Sequence, residues 1–239
     1  MTDNLDRRHF LGTAGAIAAG AAAAALAGGS SAGAAEAPAP AAAAGAKVRI
    51  LAISGSHRKG KTTATALKIA LDSAQAVSPD IETELLELVD YKLDLVQPGT
   101  PFKDDYEKLG AKITDPAIGG IIFGTPVYFS NMSSMMKIFI EHWSPYKKSF
   151  ALSNKAAGVL AVAGARNGGQ ESASQSIMAA LLGMEMVCVG DGRPTAHSGA
   201  TLWNNAKDDI TQDENGIATA KGLGRRVAEV ALRLAGKGK

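Results

Sequence analysis

The feature that most constrains what this chain can fold into is a regular alternation, from residue 48 onward, between short apolar runs and longer segments with helical spacing. The runs at 48–54, 82–88, 119–124, 156–163 and 184–189 predict strands, and the first is close to continuous in hydrophobic residues. Strands covered by helices on both faces must read this way, because neither face meets water. The segments at 61–75, 104–113, 133–143, 170–182 and 218–234 predict helices. In the first of these, Ala64, Leu67, Leu71 and Ala74 recur on one face. A loop with Pro98, Gly99 and Pro101 separates the second strand from the second helix. Such alternation builds parallel βαβ units, so the expected fold is α/β: a doubly wound, five-stranded parallel sheet with helices on both faces.

The first 46 residues have a different composition. They begin with Asp6-Arg7-Arg8-His9-Phe10-Leu11 and continue as an Ala/Gly-rich apolar stretch to Gly29. A charged start, a weakly apolar middle and a small-residue exit are the parts of a secretory signal, and paired arginines followed by Phe-Leu resemble the twin-arginine class. Cleavage after Ala25-Leu26-Ala27 and after Ala32-Gly33-Ala34 both remain open. The expected organisation is a twin-arginine signal peptide at 1–34, an Ala/Pro linker at 35–46, and one domain at 47–239. This implies export to a periplasmic or extracellular location, with a membrane involved only through the signal, or as a tether if the signal stays uncut.

Composition removes several function classes. The 25 Lys and Arg nearly balance the 23 Asp and Glu, and no basic run or aromatic ladder offers a nucleic-acid surface, so no nucleic-acid partner is expected. Cys188 is the only cysteine, which excludes an intramolecular disulfide and a Cys-rich metal or iron–sulfur site. It reads as a small buried hydrophobe on the fifth strand. With four His, one of them inside the expected signal, no metal site is expected.

In doubly wound sheets ligands collect at the carboxyl ends of the strands, so the loops after the first, third and fourth strands carry the functional argument. The first reads Ser54-Gly55-Ser56-His57-Arg58-Lys59-Gly60-Lys61-Thr62-Thr63 and leads directly into a helix. Helix-start amides, the hydroxyls of Ser54, Ser56, Thr62 and Thr63, and the charges of Arg58, Lys59 and Lys61 together make a phosphate cradle. Gly55 through Gly60-Lys61-Thr62 also satisfies the nucleotide-binding P-loop pattern letter for letter. A P-loop enzyme needs an acid at another strand end to hold Mg²⁺, and the candidate strand ends Ile121-Ile122-Phe123-Gly124-Thr125 without one.

The second loop reads Gly124-Thr125-Pro126-Val127-Tyr128-Phe129-Ser130-Asn131-Met132, then Ser133-Ser134-Met135-Met136-Lys137. Pro126 stiffens the turn, the amides near Val127 are placed to reach ring heteroatoms, and Tyr128 and Phe129 offer apolar faces to a planar ligand. The third loop, Gly164-Ala165-Arg166-Asn167-Gly168-Gly169-Gln170-Glu171, lets backbone approach a ligand at its two adjacent glycines and opens a helix.

With these loops in place, residues 47 to about 200 resemble the NAD(P)H-dependent FMN reductase group of flavodoxin-like proteins, in the branch that includes iron–sulfur flavoproteins. The resemblance implies strand order 2-1-3-4-5, FMN as cofactor and NAD(P)H as electron donor. It also implies FMN or quinone reduction by hydride transfer through flavin N5. The first loop would grip the FMN phosphate, while Pro126, Val127, Tyr128, Phe129 and Asn131 would lie against the flavin. Gly164, Arg166, Asn167, Gly168 and Gly169 would edge the isoalloxazine. No side chain is required as acid or base, and the partners would be a small-molecule electron donor and acceptor, with a homodimer or homotetramer expected. The alternatives are a flavodoxin-type electron carrier without NAD(P)H turnover and a P-loop nucleotide-binding protein. Iron–sulfur members of the branch place cluster cysteines between the second strand and second helix, where residues 91–104 here contain none. His57, Lys61 and Thr62 also depart from the residues usual in the first loop.

His142 and Trp143 end a helix and are expected to pack at a subunit or domain surface, whereas Met132, Met135 and Met136 read as core. His197 lies in a loop after the fifth strand from which it would approach the flavin of a neighbouring subunit. The element Ser198 to Thr201 resembles one at which FMN is attached covalently through a threonine, but Thr195 stands where that element has an acid, so no attachment is expected.

Overall fold

The structure, a computed structural model, describes residues 46–97 and 99–238. The expected signal at 1–34 with Arg7 and Arg8, all but the last residue of the linker, and Pro98 lie outside the described residues.

The elements run β1 (Val48–Ser54), α1 (Thr62–Gln75), β2 (Ile81–Glu87), a 3-10 turn (Leu88–Asp90), α2 (Tyr106–Thr114), β3 (Ile118–Pro126), α3 (Ser134–Glu141) and α4 (Tyr146–Ser149). They continue as β4 (Ala156–Ala163), α5 (Gln170–Leu182), β5 (Val187–Cys188), β6 (Ala200–Trp203) and α6 (Glu214–Leu234). The sheet is parallel in the order β2-β1-β3-β4-β5, the order the resemblance implied.

Side-chain alternation along the strands divides the core into two layers. Ile50, Ala52, Ile122, Ala156 and Leu160 face one way and pack with α1 (Leu67, Ala70, Ala74) and α6 (Leu223, Val227, Ala231). Leu51, Ile53, Ile121, Phe123 and Val159 face the other way and pack with α2 (Leu109, Ile113), α3 (Phe139) and α5 (Ile177, Leu181). Apolar residues three and four apart on each helix supply the matching stripe. The methionines behave as expected: Met136 is fully buried, and Met132 and Met135 pack partly buried against the second layer.

Three features depart from the sequence expectations. First, a sixth strand joins the five. β5 is only two residues long and pairs with β4 at Ala156 and Ala157, while β6 takes over the same edge of β4 from Leu160 to Ala163. Only Val187 and Cys188 of the strand expected at 184–189 are strand, and Met184 and Met186 are buried core residues outside it. Cys188 does lie on β5, half-buried. Second, α6 begins at Glu214, four residues before the apolar pattern that marked it, because Asp213 caps it by accepting from the Gly216 amide at 2.8 Å.

Third, His142 and Trp143 are not at a surface: they are 0 % and 3 % exposed inside the second layer. Trp143 packs edge-on against Phe139 with ring centres 5.5 Å apart. His142 reaches the Ile138 carbonyl through Nδ1 and the Asp104 carboxylate through Nε2, both at 2.8 Å. Burial pushes the Asp104 carboxyl up. Bonds from the Asp94 and Tyr106 amides and from His142 more than offset this and hold it below its ordinary value. The pair fastens the connection between β2 and α2 to the end of α3.

Candidate functional site

Strand register brings the three loops together. Ser54 ends β1 opposite Glu87 of β2 and Gly124 of β3. Pro126 lies opposite Val162 of β4, and Ala163 opposite Trp203 of β6. The carboxyl ends thus form one rim along which every candidate residue lies.

The first loop turns sharply into α1. Gly60 is at φ +67°, and the helix N-cap, Lys61, provides no side-chain hydrogen bond. The first amides of α1 are therefore available to an anion. The hydroxyl-bearing residues Ser54, Ser56, Thr62 and Thr63 are all buried at this end. The Ser54 hydroxyl has no hydrogen-bond partner among the described residues, while the Ser56 hydroxyl accepts from the Arg58 amide at 3.1 Å. An orphaned buried hydroxyl beside an uncapped helix start suits a phosphate-bearing ligand.

Two of the loop's three cations are paired. Arg58 donates to the Asp208 carboxylate at 2.7 Å, and Lys59 to Asp90 at 2.6 Å. The Gly60 amide donates to Glu87 Oε2 at 2.9 Å. The hydrogen bond to Asp208 raises the Arg58 pKa, and the same bond lowers that of Asp208. Lys61 is exposed at the mouth of the loop.

In the second loop, Tyr128 and Asn131 exchange two backbone hydrogen bonds of 3.0 Å, which closes a two-residue hairpin over Phe129 and Ser130. Both central residues are at positive φ, +50° and +58°, as a type I′ turn requires, although neither is Gly or Asn. The strained turn presents Phe129 wholly to solvent and leaves Tyr128 half exposed. The amides of Val127, Tyr128, Asn131, Met132 and Ser133 bond within the protein. Among the described residues this leaves the amides of Phe129 and Ser130, rather than that of Val127, to meet a ligand. The Asn131 side chain is structural as well, accepting from the Ser176 hydroxyl at 2.9 Å and from the Met132 amide.

The third loop leans on the second. Gly169 is at φ +91°, and a Cβ there would lie 2.6–2.8 Å from Ser130 atoms, backbone Cα included. A Cβ on Gly168 would meet Ala163 Cβ at 2.7 Å and the Ala165 carbonyl at 2.8 Å. On the side where a side chain would stand, both glycines make room for protein. Gly164 has open space around it and retains the ligand-facing reading. Arg166 pairs with Asp213 and lies over the Trp203 ring, and Asn167 is exposed.

Ser133 is the organising residue that sequence reasoning missed. Its hydroxyl donates to the Gly55 carbonyl at 2.6 Å and accepts from the Met136 amide, and its own amide donates to Thr125 Oγ1 at 2.9 Å. Ser133 thus fixes the first loop, the end of β3 and the start of α3; a Ser at the start of a predicted helix was the available signal. His197 borders the rim beside the third loop. Both oxygens of the buried Asp191 hold it, and it opens on a polar cleft of about 260 Å³ that also touches Arg166, Asn167, Asn215 and Thr219. Thr201 lies within β6 with its amide on Thr219 Oγ1.

Comparison with known proteins agrees with this architecture. The chain is 36% identical over 188 residues to an iron–sulfur flavoprotein of Methanocaldococcus jannaschii, covering 75% of this chain and 95% of that protein. It is 29% identical to a NAD(P)H dehydrogenase (quinone) of Geobacter sulfurreducens, over 75% of this chain and 93% of the relative. Among solved structures it is similar in fold to a flavodoxin, WrbA-like protein from Agrobacterium tumefaciens. That likeness has a TM-score of 0.54 at 17% identity and covers 79% of this chain and 99% of the other. Residues 48–201, from the first strand to the sixth, match the NADPH-dependent FMN reductase family, and the chain belongs to that family.

Proposed function

We propose that this protein is an FMN-dependent oxidoreductase that takes electrons from NAD(P)H and passes them to a small acceptor such as FMN or a quinone. The observation that carries this reading is the uncapped start of α1 beside the buried hydroxyls of Ser54, Ser56, Thr62 and Thr63, on the same rim as an exposed aromatic hairpin. Together these are a phosphate seat and a face for a planar ring. Bound there, FMN supplies hydride acceptance at N5 and two-electron delivery to the acceptor.

The chain's own residues bind and orient. Helix-start amides and Arg58 hold the phosphate, the strained turn sets Phe129 and Tyr128 against the ring, and the amides of Phe129 and Ser130 with the loop at Gly164, Arg166 and Asn167 border its polar edge. The P-loop alternative has little support, since β3 ends Gly124-Thr125-Pro126 with no acid, and the acid at the end of β2, Glu87, is engaged by the Gly60 amide. The single cysteine leaves no set of thiolates for an iron–sulfur cluster, whatever the name of the M. jannaschii relative. Electrons would then enter and leave through the flavin alone. Export by the twin-arginine route, proposed on Arg7 and Arg8, suits a protein that folds around a cofactor before crossing a membrane.

The test is anaerobic addition of NADPH to the FMN-loaded protein, followed by steady-state oxidation with a quinone. Bleaching of the flavin and sustained turnover are expected. Flavin that binds but is not reduced by NADPH would make the protein a carrier, and a protein that takes up no FMN would refute the reading.

A further inference from the structure

Arg58 is the one cationic side chain of the first loop that the proposed function assigns to the flavin phosphate, yet its guanidinium already carries a carboxylate. Asp208 Oδ2 lies 2.7 Å from Arg58 Nη1, although 150 residues separate the two in sequence. Asp208 stands on the connection between β6 and α6, and the backbone presets where it points. Asn205, Ala206 and Asp208 sit at φ +50°, +52° and +56°, left-handed turns that Asn and Asp adopt more readily than other non-glycine residues.

The connection is fixed at both ends. The Asn204 amide donates to the Ala163 carbonyl at 2.9 Å, and Asp213 accepts from Arg166 and from the Trp203 and Gly216 amides. Asp208 is therefore delivered to the cradle by the fold. The local charges balance: Arg58, Lys59 and Lys61 stand against Glu87, Asp90 and Asp208.

A phosphate dianion and a carboxylate ask the same guanidinium N–H groups for the same charge-assisted bonds, and side by side they repel. We propose that Asp208 competes with the flavin phosphate for Arg58, and so sets how far the site prefers FMN over a flavin without a phosphate. The proposal rests on the reading of the first loop as the phosphate seat. It makes flavin binding deliberately loose at the phosphate end, as a site that exchanges its flavin requires. Removing the carboxylate strengthens the hold on FMN, whereas the ring-binding loops at Phe129 and Gly164 are untouched.

The experiment is equilibrium dialysis of the full chain against FMN and, separately, riboflavin, for the parent, Asp208→Asn, Arg58→Ala and the double variant. Asp208→Asn is expected to tighten FMN by about three- to fivefold, the scale of one exposed ion pair, and to leave riboflavin unchanged. In the Arg58→Ala background the gain is expected to shrink to what relief of direct repulsion leaves. Unchanged or weaker FMN binding in Asp208→Asn overturns the proposal, since Asp208 would then be inert or a support for Arg58. An equal gain for riboflavin, or a gain undiminished without Arg58, overturns it too, by showing an effect that does not pass through that guanidinium. FMN affinity that does not change in Arg58→Ala instead overturns the underlying assignment of the first loop.

Discussion

Replacing Gly169 with Ala probes the contact that joins the second and third loops. At φ +91° a side chain costs about 1–2 kcal/mol in backbone strain. The added Cβ would also sit 2.7 Å from Ser130 Cα, an atom of a hairpin pinned by two hydrogen bonds, so side-chain rotation alone gives no relief. Overpacking of this kind adds about 1–3 kcal/mol, and we expect Gly169→Ala to lose about 2–5 kcal/mol in all. The assay is urea unfolding of the full chain, read as a shift in midpoint at constant slope. FMN affinity should fall in parallel, because both loops border the proposed ring site. Ser130→Gly removes the Cβ and Oγ that the new methyl would strike, and it suits the φ of +58°; the double variant should recover about 1 kcal/mol of the loss. A Gly169→Ala protein within about 0.5 kcal/mol of the parent, the range of an ordinary surface change, would refute the contact. So would a loss that Ser130→Gly leaves untouched.

His142→Leu should destabilise the protein by about 1–3 kcal/mol in urea unfolding, because it removes one of three bonds to the buried Asp104 carboxylate while the Asp94 and Tyr106 amides keep the other two. The Asp104 carboxyl is held below its ordinary value, so its stabilisation is present above the unfolded pKa of about 3.9 and is lost as the pH falls through the lower folded value. Asp104→Asn should flatten that acid limb of the stability curve. Lys61→Gly should leave FMN binding and NADPH oxidation within about fivefold of the parent, the scale of an exposed charge; complete loss of activity would favour a nucleotide P-loop. Changing Arg7 and Arg8 together to Lys should leave folded, flavin-loaded precursor in the cytoplasm on fractionation, since lysine keeps the charge but not the guanidinium geometry; normal export would point to another route.

Most of the sheet was legible because burial on both faces writes itself into continuous apolar runs such as Val48–Ser54 and Ala156–Ala163. β6 was not, because four residues carry no periodicity, and its pairing depends on β5 leaving the far half of β4 uncovered. His142 read as a surface residue because its partner, Asp104, is 38 positions away, and no local pattern announces a buried pair. The loops of the candidate site were legible as glycines, hydroxyls and aromatics at strand ends. How their groups are used was not. Sequence shows that Gly168 and Gly169 are small, but only the fold shows that the space they leave is filled by Ala163 and Ser130. Asp208 belongs to the same category, since a solvated loop acid and the partner of Arg58 look identical until the chain returns from β6.

The central claim is that one flavin spans the three loops on the carboxyl rim, and amide chemical-shift mapping of the isotopically labelled full chain titrated with FMN tests it most directly. The account predicts perturbations concentrated in residues 54–63, 126–131 and 164–169, with riboflavin reproducing the second and third groups but not the first. Shifts confined to the cleft at His197, Asn215 and Thr219, or an identical first-loop response to riboflavin, would contradict it.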